Sequence, residues 1–324
     1  MHHGIAGSTE QPARPLPPAA VEFATNHPLI APLTLGALHL RHRIVLAGAP
    51  GPSGGIAEGP PDPSLMSCYA ARATPGGLLI CAAAPTARAS AADAGTVPGI
   101  HSAAQTNAWR DVTEAMHARG ALAIAQLGDA ATDARALPDL DGIEAALEAY
   151  RSAAENAADA RFDGVELLCT SGTLADRFLR RSHTSAAWGS DTTRDQDFAL
   201  DALQAIVSSW PPSRVGVCLS LPQDAAGLQV ARALLASAQG LGLAYAHMVS
   251  WSASLSAGTS STLGAVVLPL RPVLPGKLIV AGDWTVEAAA RAIEVRAVDA
   301  VSVDMASANE AGVLRLLSQL REQG

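Results

Sequence analysis

Two neutral hydrogen-bonding side chains, Gln126 and Ser171, each stand at the end of a short apolar run. An amide and a hydroxyl so placed can orient or polarise a carbonyl oxygen without a nucleophile or a metal. Asp129, three residues beyond Gln126, is the acid that would complete such a set, and these three are the candidate catalytic residues. Asp283 and Asp304 also follow apolar runs, where a substrate anchor and a helix N-cap look alike in sequence. Cys169 and Cys218 lie at run ends too, but nothing beside them would lower a thiol pKa, so both read as small buried thiols. His247 sits inside an apolar run and reads as a core histidine rather than a general base. Of five tryptophans, Trp188, Trp251 and Trp284 fall in segments that follow such runs. Trp251 and Trp284, with Leu168, Thr173 and Cys218, are the candidate lining of an apolar binding site. Ser171 has no His and Asp at hydrolase spacing, and neither an H-E-x-x-H pair nor a Walker loop occurs. No metal-ligand spacing is visible.

The elements that must position these residues come from an Ala-rich chain of 324 residues, 49% hydrophobic and only 16% charged. That composition buries a large core and excludes a disordered chain. A net charge of −8 and no basic run longer than Arg180-Arg181 exclude nucleic acid as a partner. Four scattered cysteines without a C-x-x-C pair argue against structural zinc and disulfides, and for a reducing cytoplasm. No signal peptide is visible. The most apolar stretch, Leu263 to Leu274, is too short for a membrane span and holds Pro269, Arg271 and Pro272.

Eight apolar runs read as buried parallel strands: 43–47, 77–83, 121–127, 164–168, 214–219, 244–249, 277–281 and 300–303. Helical patterns at 102–119, 142–160, 193–209, 224–239, 285–295 and 310–322 alternate with them. Asp224 and Thr285 are expected N-caps, Gly120 and Gly240 expected C-caps, and 250–275 an irregular loop. Eightfold alternation predicts a (β/α)8 TIM barrel over 29–324, with a doubly wound sheet as the rival fold. Residues 1–28, rich in Pro and Ala, read as a flexible tail.

The segment from Phe162 to Arg180, F-D-G-V-E-L-L-C-T-S-G-T-L-A-D-R-F-L-R, resembles the fourth-strand signature of the old yellow enzyme family of FMN ene-reductases. Further matches are Pro32 to Leu38, Tyr69 to Ala73, Pro98 to Ser102, Gln126-Leu127 and Arg214 to Val217. The resemblance implies the barrel and also marks departures from the family. Leu168 and Ser171 replace the pair that binds the substrate carbonyl, and Thr173 replaces the proton-donating Tyr. Cys218 stands for the Arg facing the flavin ring, and Asp304-Met305 for the Gly-Arg pair at the phosphate. Asp283 brings a second acid to that end, where like charges would cost on the order of several kcal/mol. Gln126 is kept, whereas Gly128-Asp129 replaces Trp-His, and only seventeen residues separate Gln126 from Glu144.

These replacements lead to the expectation of no bound cofactor, FMN binding having been lost. The function then expected is a flavin-independent, non-redox cyclase of a polyunsaturated polyketide-type intermediate, [4+2] cycloaddition included, as in antibiotic biosynthesis. A shaped apolar cavity would supply the rate by folding the substrate into a reactive conformer. Two alternatives stand beside it: an FMN-dependent ene-reductase with an atypical site, and a non-catalytic binding homologue.

Overall fold

The computed structural model describes residues 27–48, 59–86, 98–128, 137–184, 193–249, 263–305 and 317. Eight strands pair in parallel: β3 (Ile44–Gly48), β4 (Leu78–Pro85), β5 (Leu122–Gly128), β6 (Gly164–Cys169), β7 (Val215–Ser220), β8 (Tyr245–Val249), β9 (Lys277–Ala281) and β10 (Ala300–Asp304). Every expected apolar run falls on one of them. β10 pairs with β3 through Val301 and Ile44, so the sheet closes into a barrel and the open-sheet rival is excluded. Around it lie α1 (Pro63–Arg72), α2 (Ala103–His117), α3 (Leu140–Asp159), α4 (Leu174–Thr184), α5 (Thr193–Val207), α6 (Ala225–Ala238) and α7 (Val286–Glu294).

Helix α3 shows how the outer layer is held. Tyr150, Ala153, Ala154 and Ala157 recur at helical spacing and are fully buried, so three alanines let the helix approach the sheet closely. The Asp224 carboxylate accepts from the Gly227 N–H at 2.7 Å, and the Thr285 hydroxyl accepts from that of Ala288 at 3.1 Å. Both expected N-caps are therefore present. Gly120 is left-handed at φ +76°, but after α6 the left-handed residue is Gly242 rather than Gly240, because a short 3₁₀ turn extends the helix.

A hairpin, β1 (Leu33–Leu35) and β2 (Leu38–Leu40), closes the amino-terminal end of the barrel. Leu33, Leu35, Leu38 and Leu40 pack on the inward residues Ile80, Ile124, Tyr245 and Ile279. Its turn needs Gly36: φ is +56°, and a Cβ there would stand 2.2 Å from the Ser213 carbonyl oxygen. The expected irregular loop at 250–275 is corrected in part, since 263–273 forms two helical turns, Leu263–Val267 and Leu268–Val273. Residues 250–262 of that loop lie outside the described residues, as do 1–26 of the expected tail and, but for residue 317, the helix expected at 310–322. Among the described residues no helix is long and apolar enough to cross a membrane.

Candidate active site

Successive strand residues point to opposite faces, so a polar residue in the inward phase enters the barrel interior. Five do so near mid-height: Gln126 on β5, Glu166 on β6, Cys218 on β7, His247 on β8 and Ser302 on β10. The register sets Gln126 beside Glu166, and Cys218 beside both Leu168 and His247. Gly216, below Cys218, gives its space to the Tyr245 ring, two of whose carbons would lie 2.4 Å from an added Cβ.

Four of them, all but Cys218, form one hydrogen-bonded chain. The Gln126 amide donates to Glu166 Oε1 at 2.6 Å, His247 Nδ1 meets Glu166 Oε2 at 3.2 Å, and His247 Nε2 meets Ser302 Oγ at 2.7 Å. A carboxylate only accepts, so Nδ1 carries a proton and a neutral ring accepts from Ser302 at Nε2. Glu166 and His247 are fully buried, which makes each dependent on the other for compensation. Burial, then the Glu166 charge, push the Cys218 thiol well above its ordinary range, so it stays protonated and is no resting nucleophile. The same two causes hold the Tyr245 phenol up. Its hydroxyl approaches Glu166, yet no acceptor lies within hydrogen-bond geometry of it.

A cleft of about 470 Å³ opens to one side, where the carboxyl ends of β6, β7 and β8 meet α4 and α6. Ser171 and Ser220 face it, and the Ser171 N–H donates to Ser220 Oγ at 3.2 Å. The Asp176–Arg180 ion pair, 2.7 Å, stands at its lip. Arg180 is 60% exposed there, so the pair adds little stability.

The expected site residues thus separate. Ser171 lines the cleft, whereas Gln126 and Cys218 lie in the barrel interior and Leu168 is half-buried on the strand between them. Thr173 is corrected to a structural role: buried, it donates to the Thr170 carbonyl at 2.9 Å and caps α4 by accepting from the Asp176 N–H at 3.2 Å. Trp284 is corrected too, since it packs in the outer core and donates to the Val280 carbonyl at 3.0 Å. Asp129 and Trp251 lie outside the described residues. Asp283 and Asp304 are exposed at the ends of β9 and β10. Sequence reading missed Glu166, Tyr245 and Ser302 as members of the site; their common inward phase was the available signal.

The profile of the NADH:flavin oxidoreductase / NADH oxidase family matches residues 28–141. The chain is 30% identical over 312 residues to 12-oxophytodienoate reductase 1 of Oryza sativa subsp. japonica, covering 82% of this chain and 80% of the relative. It is likewise 30% identical to a chanoclavine-I aldehyde reductase of Penicillium roqueforti, over 84% and 83% of the two chains. The old yellow enzyme from Trypanosoma cruzi superposes with a TM-score of 0.73 over 87% of this chain and 89% of its own, at 24% identity. A morphinone reductase variant in complex with tetrahydroNAD gives 0.69 over 85% and 86%, at 25% identity.

These matches overturn the expectation of a protein without a cofactor, because the family is one of flavin enzymes. The residues at the ring end fit a flavin. The Gln126 amide oxygen accepts from no described residue and is open to a ring N–H, and the inward positions Ala47 on β3 and Ala281 on β9, across the barrel, are small. The phosphate end departs from that fit. The ends of β9 and β10 carry acids and no Lys or Arg, and the N–H groups of Gly282 and Met305 are spent on Ser302 and Ala47 carbonyls. With the barrel closed and four-fifths of a reductase matched at 30% identity, the chain belongs to the NADH:flavin oxidoreductase / NADH oxidase family, that of the old yellow enzymes.

Proposed function

We propose that this protein is a flavin-dependent reductase of an activated carbon–carbon double bond in an apolar small molecule, with an atypical substrate clamp. The observation that carries the reading is the 30% identity, over most of both chains, to two proteins named as reductases of an oxo compound and an aldehyde. The flavin-free cyclase expected from the altered mouth is given up, since it presupposed a chain without a cofactor.

A flavin, when bound, would supply a hydride; holding the ring and the substrate would fall to the chain's own side chains. Gln126 would hold the ring edge with its amide oxygen, and its orientation is fixed by its own bond to Glu166. Glu166 is fixed in turn by His247, and His247 by Ser302. Leu168, in the place of a carbonyl-binding side chain, offers an apolar wall. Ser171, exposed in the cleft, is the hydroxyl available to a substrate carbonyl oxygen. The reduced product also gains one proton. Thr173 does not supply it, because its hydroxyl is committed to the α4 cap. Ser171 is exposed in the open cleft, so solvent would reach the substrate there and could supply the proton.

The test is to reconstitute the purified protein with FMN, reduce it anaerobically with NADH or NADPH, and follow reoxidation by 2-cyclohexenone and by longer apolar enones. Reoxidation by at least one enone with formation of the saturated ketone is expected. Gln126→Ala should weaken flavin binding by about 1–3 kcal/mol, roughly tenfold to a hundredfold. A protein that takes up no flavin, or whose reduced flavin no enone reoxidises, would sink the proposal.

A further inference from the structure

The barrel interior contains a donor set with a use beyond orienting Gln126. One Glu166 carboxylate oxygen, the Cys218 sulfur and one His247 ring nitrogen all lie within 4.8 Å of one another, and all three residues are buried. We propose that Glu166, Cys218 and His247 bind a single divalent cation of the zinc type inside the barrel. Oxygen, sulfur and imidazole nitrogen together suit zinc, a borderline-soft ion, better than magnesium or calcium, which take oxygen alone. The charges agree, since a carboxylate and a thiolate together neutralise the two positive charges of the cation in a buried place.

The surroundings of these three residues supply the outer support that metal ligands need. Gln126 holds Glu166 Oε1 and leaves Oε2 for the metal. Ser302 Oγ, 2.7 Å from His247 Nε2, accepts a proton from that nitrogen when Nδ1 turns its lone pair to the cation. A separate observation points to the fourth position: the Tyr245 hydroxyl, fully buried against Glu166, has no hydrogen-bond partner. A water on the cation would give it one.

The protons balance. On binding, Nδ1 gives up its proton and Nε2 gains one, while Cys218 releases its thiol proton to solvent. Each bound cation therefore frees about one proton.

The test uses the full chain, expressed in zinc-supplemented and in cobalt-supplemented medium, with metal and flavin measured on the same samples. We expect one zinc per chain. The cobalt protein should show the intense visible bands of a tetrahedral site and a thiolate-to-cobalt charge-transfer band. Cys218→Ser should abolish that charge-transfer band, and Ser302→Ala should weaken metal binding roughly tenfold to a hundredfold. Cys68→Ser, a change at the one described cysteine that is not buried, should behave as the unaltered protein. Proton release in weak buffer gives a readout that survives a poorly folding Cys218 variant. Metal content well below one per chain in both media overturns the proposal. So does a thiolate band that persists in Cys218→Ser but disappears in Cys68→Ser. The flavin content of the same samples shows separately whether the reductase reading fails.

Discussion

The lower and middle levels of the barrel interior are both buried but are built on opposite principles. At the amino-terminal end the hairpin leucines and the inward aliphatics form a hydrocarbon plug that asks only to be filled. A few residues higher, Gln126, Glu166, His247 and Ser302 form a polar chain in which each group depends on its neighbour. Removing a piece of the plug opens a cavity. Removing a link of the chain strands a charge or a donor, and hydrophobic transfer does not compensate for that. Both regions carry stability, but the geometry presented to the mouth is set by the second alone.

Paired substitutions break the comparison most sharply. Glu166→Ala should cost about 3–5 kcal/mol, because it leaves His247 Nδ1–H and the Gln126 amide without acceptors, and flavin retention should fall with it. Leu35→Ala, fully buried in the plug, should cost about 2–5 kcal/mol by cavity formation, with flavin affinity unchanged while the protein is folded. Urea denaturation alongside flavin titration checks both; equal loss of flavin affinity in the two variants would erase the distinction.

A second measurement sharpens it by pH. His42, at the amino-terminal end, accepts from the Ile44 N–H at Nδ1 and bonds Thr74 Oγ1 at 2.9 Å through Nε2. Burial lowers its pKa from 6.5 to about 4. A depressed folded pKa means that the neutral ring's stability is fully present above pH 6.5 and is lost as pH falls towards 4. That loss should approach roughly 3 kcal/mol, and His42→Asn should flatten the slope of stability against pH in this window.

The smallest effect concerns Thr173. Thr173→Ala should cost about 1 kcal/mol through the lost α4 cap, with the rate of enone reduction unchanged. A large loss of rate with an unchanged melting temperature would return Thr173 to the chemistry.

Much of the fold was legible because a strand buried on both faces writes itself as a continuous apolar run, and each of the eight was found that way. The β1–β2 hairpin escaped because strands of three residues are too short for alternation to show. Helix α1 escaped because Pro60-Pro61-Asp62-Pro63 reads as a loop, although Asp62 is its N-cap and Pro63 its first residue. The interior chain was harder, since its members come from four strands and are contiguous only after closure. His247 as a core residue was legible from its apolar neighbours; its pairing with Glu166, 81 positions away, was not. The loss of cofactor inferred from the substituted flavin positions did not survive comparison with whole reductases.

Closure of β10 onto β3 has a consequence for how the chain is made. Strand β3 must wait for nearly the whole sequence before its second neighbour exists, a pairing of very high sequence separation. During synthesis the hairpin leucines lack Ile279 and Ala300, and His247 lacks Ser302, until the last strand emerges. The plug is then exposed hydrocarbon, and the polar chain is a half-built set of side chains still open to water. Aggregation risk in a nascent chain is therefore concentrated at the amino-terminal end, which is synthesised first and covered last.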